Sequence, residues 1–191
     1  MGISAYLQTV YNYDPACQPN SRCALIIKND ASGLKELSHI SLQSDLHPHP
    51  FYWPHEAYDA YVHGGLSRTV DTVIIHDEQL TSLMDMDTFI LYLRNKTTSG
   101  KNLRIGVTSG AHHQPGKLKE LISLGVDFAW CFDDWEYTAH AWVPKTFKLG
   151  FVSDEEIRQF RDQGIIVADE FTLKQRVEWL EQHHRSVERE V

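Results

Sequence analysis

Two histidines one residue apart, His47 and His49 in Asp45-Leu46-His47-Pro48-His49-Pro50, are the pattern in this chain that most directly suggests metal chemistry. In an extended segment, residues i and i+2 point to the same side, as a bidentate clamp on one ion requires. Neutral imidazole suits zinc, manganese, nickel or iron, and Asp45 or Asp30 would complete the shell. Pro48 fixes its own φ and holds His47 extended, which stiffens the pair. A proline-rich surface loop with merely exposed histidines gives the same letters, because H-x-H alone is a weak pattern.

Acids, hydroxyls and histidines also close most of the other short apolar runs. Cys23–Ile27 runs into Lys28-Asn29-Asp30, and Ile40–Leu42 leads to Asp45. Val73–Ile75 ends at His76-Asp77-Glu78, Ile105–Val107 at Thr108-Ser109-Gly110, and Phe128–Phe132 at Asp133-Asp134. In α/β sheets and barrels, ligands and catalysis gather at the carboxyl ends of the strands. Asp77 and Asp133 are therefore candidate general bases, and His112 and His113 candidates for stabilising charge or protonating a leaving group. Thr108 and Ser109, ahead of a helix starting near Pro115, are candidates for holding an oxyanion. Trp53, Trp135 and Trp142 offer stacking faces for a ring-bearing substrate, though aromatics often simply pack. Asp at a strand end also serves as an ordinary helix cap.

The elements that must position these groups alternate. Short β-branched runs are followed by segments of helical period, which predicts βα units and a mainly parallel sheet flanked by helices, as a three-layer sandwich or partial barrel. Pro54 opens a helix carrying Ala57, Tyr61 and Val62, stopped at Gly64-Gly65. Met86, Phe89, Ile90 and Leu93 mark a helix over 85–95, and Pro115 starts another that ends at Gly125. Ser153 with Glu156, and Thr172 with Gln175, form capping boxes. We read residues 1–191 as a single domain, with an irregular segment over 1–21 and a C-terminal helix near 172–185. Segment 133–152 reads as either a loop over the strand ends or a short helix.

Composition narrows the classes of function. The net charge of −8 and the lack of a basic run argue against nonspecific nucleic-acid or anionic-membrane binding. No signal peptide or membrane-length apolar run is visible. The three cysteines form no C-x-x-C pair, which predicts free thiols in a reducing, cytoplasmic compartment. The phosphate-loop pattern GxxxxGK[ST], the dinucleotide pattern GxGxxG and the Gly-x-Ser-x-Gly elbow are all missing.

Parts of the chain resemble three families. Residues 105–135, ending in Trp130-Cys131-Phe132-Asp133-Asp134-Trp135, resemble the late part of polysaccharide deacetylases, but that family's His-x-x-x-His spacing is missing. Residues 23–132 are similar in outline to receiver domains of two-component signalling. That resemblance implies Asp77 as phospho-acceptor, Thr108 as its hydroxyl partner and Asp30 in an acidic pocket. Phe132 stands where the family has its lysine, so such a domain would be degenerate. The order Asp77, Thr108, Lys148, Asp169 resembles haloacid-dehalogenase-like phosphatases, with Gln79 in place of their second aspartate. All three overlays share one α/β rhythm.

The leading expectation is a metal-dependent hydrolase acting on a small-molecule substrate, such as a carbohydrate, ester or amide. His47, His49 and Asp45 or Asp30 would hold a divalent ion that activates water. The alternative is a non-catalytic, receiver-like regulatory or interaction domain.

Overall fold

The computed structural model describes residues 22–77, 84–97, 100–109, 115–131, 135–148, 153–169, 171–176 and 178. Its strands are β1 (Arg22–Ile27), β2 (Leu46–Phe51), β3 (Val70–Asp77), β4 (Arg104–Ser109), β5 (Phe128–Cys131) and β6 (Ile166–Val167). The helices are α1 (Ala31–Gln43), α2 (Pro54–Val62), α3 (Met86–Lys96), α4 (Pro115–Leu124), α5 (Trp135–Thr146) and α6 (Asp154–Asp162). These strands form a six-stranded sheet in the order β2-β1-β3-β4-β5-β6. All pairings are parallel except that of β5 with β6. The sandwich expectation thus describes the fold, and a barrel does not.

Strand alternation divides the core between the two faces of the sheet. Ala24, Ile26, Ile74, Phe128 and Trp130 face α1 and α5, where Leu34, Leu37, Ala139 and Val143 cover them. Cys23, Leu25, Ile27, Val73, Ile75, Ile105 and Val107 face α2, α3 and α4, against Ala57, Tyr61, Phe89, Ile90 and Leu121. Burial on both faces is why these strands read as continuous apolar runs.

The helix boundaries largely follow their sequence signals. Pro54 is the first residue of α2, Asp85 caps α3, and Gly125 ends α4 with φ 109°. The Ser153–Glu156 capping box is formed in full. At residue 172 the cap comes from Asp169, whose carboxylate accepts from the Thr172 N–H and hydroxyl. The Ile40–Leu42 run belongs to the last turns of α1, since Leu34, Leu37, Ile40 and Ser41 are buried at helical spacing. Residues 135–146 of the ambiguous segment are helical, and Trp142 packs edge-on against Phe160 at 5.4 Å between ring centres. Cys23 is disulfide-bonded, in contrast to the free thiols expected from the cysteine count.

Candidate functional site at the strand ends

The H-P-H-P stretch is the middle of β2, an edge strand, and not a strand end. In a parallel strand each residue turns both its backbone groups to one side, alternately. Phe51 O accepts from Lys28 N, so residues 47, 49 and 51 bond toward β1. Pro48 and Pro50 therefore face the free edge, where a residue with no N–H blunts pairing with another chain. The prolines are explained by edge protection.

Alternation puts His47 and His49 on the α2 side of the sheet, in register with Cys23 and Leu25, with ring centres 5.3 Å apart. Burial, and then the neighbouring His47, pushes the His49 imidazole down to about 4, so it stays neutral. Asp45 sits in a left-handed turn (φ 56°) that enters β2 at its amino end. Asp30 lies beyond the carboxyl end of β1, so about 17 Å of strand separates the levels of these two acids. Among the described residues, no three His, Cys, Asp or Glu side chains come together as a metal site. The metal-binding expectation built on this motif is corrected on that ground: its acids are at opposite edges and its histidines lie between them.

The carboxyl edge brings a different set together. His76 is in register with Thr108, Asp77 with Ser109, and Thr108 with Trp130. One step beyond the Ile27–Ile75 pair, Lys28 comes beside His76. Lys28, His76, Thr108 and Trp130 share the α1/α5 side by alternation, and all are buried. Neither Thr108 Oγ1 nor Trp130 Nε1 has a hydrogen-bond partner among the described residues. Such groups are uncommon in native cores, and with His49 Nε2, His55 Nδ1 and Arg104 Nε they mark the chemically unusual places among the described residues.

Asp30 closes the row at its rim. Its Oδ1 accepts the Gly33 N–H at 2.7 Å as the cap of α1, and its Oδ2 meets Lys28 Nζ at 2.9 Å. Burial alone would raise its carboxyl pKa; the Gly33 bond, Lys28 and His76 outweigh that and hold it below the usual value. Trp53, half-buried, precedes α2 just past the end of β2. Asp77, Ser109 and Trp135 are placed by their backbones at the ends of β3 and β4 and the start of α5. Asp133, His112 and His113 lie outside the described residues. Sequence patterns gave Lys28 no role, yet a lysine closing an apolar run two residues before a helix cap was a visible signal.

No family model matches the chain, and no curated protein matches it. Solved structures do. The chemotaxis response regulator CheY4 of Vibrio cholerae superposes with a TM-score of 0.54 at 16% identity, covering 66% of this chain and 99% of that one. A response regulator receiver domain protein from Clostridium thermocellum gives 0.50 at 9% identity, over 63% of this chain and 94% of its own. The isolated receiver domain of RcsB from Salmonella enterica serovar Typhimurium gives 0.50 at 14% identity, over 71% and 96%. The fold is the flavodoxin-like fold of receiver domains, with β6 added antiparallel at one edge. On this fold the hydrolase reading and its small-molecule substrate are corrected: the matching structures named are response regulators or their receiver domains, and none of them is a metal-dependent hydrolase. No helix among the described residues is long and apolar enough to cross a membrane.

Proposed function

We propose that the chain is a receiver-like regulatory domain that works by docking protein partners at and around the carboxyl edge of its sheet, without catalysing a reaction. The observation that carries this reading is the row Lys28, His76, Thr108 and Trp130, set across adjacent strand ends of a receiver-type sheet beside Asp30 and Asp77. A hydroxyl and an indole N–H left without partners inside a core are groups whose hydrogen bonding a change of state can complete. Receiver folds signal through their helices, so the partner is a protein surface and not a small substrate.

The test is affinity capture with the wild-type chain and with Thr108→Val, followed by a direct binding measurement on the purified partner. A partner held by the wild type and weakened by about tenfold in Thr108→Val supports the reading. Steady turnover of an ester, amide or glycan by the purified chain, abolished in Asp77→Asn, would overturn it.

A cytoplasmic setting goes with this proposal, and the Cys23 disulfide supplies its check. Alkylation during isolation should trap all three thiols if the compartment is reducing, whereas a single free thiol would point to an oxidising one.

A further inference from the structure

The strand-end row contains a cation of its own. Lys28 is only 1% exposed, and its ammonium reaches Asp30 Oδ2 at 2.9 Å. A buried ammonium stays charged only when a carboxylate answers it, so this pair is built in and not a surface accident. The first turn of α1 is shaped around the lysine. A Cβ at Gly33 would lie 1.7 Å from Lys28 Cε and 2.4 Å from Cδ, so any larger residue there would make the lysine stem shift from its present path. The second Asp30 oxygen is taken by the helix cap, and the residue between the two, Asn29, adds no charge. Receiver domains can bind Mg2+. The described residues here do not fit that ion: a positive charge already sits against the acid that would have to bind it.

We infer that the Lys28 ammonium, instead of a divalent metal ion, is the resident counter-ion of Asp30 at this strand end. The strand end therefore holds its charge balance, and presents its surface to a partner, without a metal-dependent step. This deepens the receiver-like reading and rests on it.

The experiment titrates the full chain, Lys28→Ala and Lys28→Met with Mn2+, followed by water-proton relaxation, and then displaces it with Mg2+. Removing the ammonium lifts its repulsion of the incoming ion, so the variants should bind Mn2+ more tightly than wild type by about tenfold or more. A ratio near one, whether all three proteins bind or none does, overturns the inference. So does tighter binding by the wild type. Lys28→Met keeps an unbranched stem beside Gly33 and supplies the ratio if Lys28→Ala does not fold. Partner docking is measured separately. If docking still depends on Thr108 while the ratio is near one, the receiver-like reading stands and this inference alone falls.

Discussion

The two edges of the sheet are both lined with buried polar groups, and they treat them in opposite ways. At the amino edge each charge meets a fixed partner. Arg22 forks onto Asp71 at 2.8 Å and 3.2 Å and also donates to Phe147 O. Arg94 donates to Gly100 O, Leu103 O and Gly125 O, tying α3 to the turns that lead into β4 and β5. Asp127 accepts from Ile105 N, Arg94 and Arg176, and Arg104 donates to Thr146 O and Lys148 O at the end of α5. Even here Arg104 Nε is left over, its guanidinium packed by Phe128 and Phe147. At the carboxyl edge, Thr108 Oγ1 and Trp130 Nε1 lack hydrogen-bond partners among the described residues, and the Lys28–Asp30 pair lies at the rim. A network of satisfied groups fixes a fold, whereas groups left open, as at Thr108 and Trp130 among the described residues, are where structure gives way to function.

The largest effect expected from this contrast lies at the amino edge. Asp127→Ala leaves the Arg94 and Arg176 guanidiniums without this carboxylate and the Ile105 N–H without its side-chain acceptor. Breaking a buried pair costs about 3–5 kcal/mol, which urea unfolding should show as a much lower midpoint with little change in slope. A loss under about 1 kcal/mol would mean that the amino edge is not the anchor argued here.

The next effect comes from the edge strand between the two ends. His49 is held neutral with its pKa down at about 4 from 6.5. The unfolded chain therefore binds the extra proton first as the pH drops. Stability is full above 6.5 and falls as the pH goes down toward 4, by on the order of 2 kcal/mol after allowing for partial exposure. Urea midpoints taken across that window should show the decline, and His49→Leu should flatten it. A smaller change is expected from Pro48→Ala with Pro50→Ala, which restores N–H donors to the free edge. Stability should move by less than about 1 kcal/mol, while sedimentation should reveal new self-association.

How much of this could be read from the letters differs between the same two edges. Helix caps and strand runs were legible because they are local: Ser153 finds Glu156 three residues on, and Val73–Ile75 declares a buried strand by composition alone. The placement of candidate residues at strand ends was legible for Asp30, Asp77 and Thr108, since alternation of strands and helices implies a carboxyl edge. The metal reading failed because register is not local. Nothing near His47 says that β2 lies at the edge of the sheet or that Asp45 enters it from the far side. The amino-edge network was invisible for the same reason, with Arg22 and Asp71 joined across 49 residues.

The smallest expected effect, with the opposite sign, belongs to the carboxyl edge. Thr108→Val keeps the shape of a fully buried side chain and removes a hydroxyl that has no hydrogen-bond partner among the described residues. A buried polar atom without a partner is destabilising, so the substitution should leave stability unchanged or raise it by up to about 1 kcal/mol. The same change is expected to weaken partner docking. Measured side by side, unfolding and docking should therefore move in opposite directions for Thr108→Val, and for Asp127→Ala they should fall together. If Thr108→Val were instead strongly destabilising, the hydroxyl would have to be a structural donor in the core. The two edges would then be held together in the same way, and the carboxyl row would lose its claim to be the functional one.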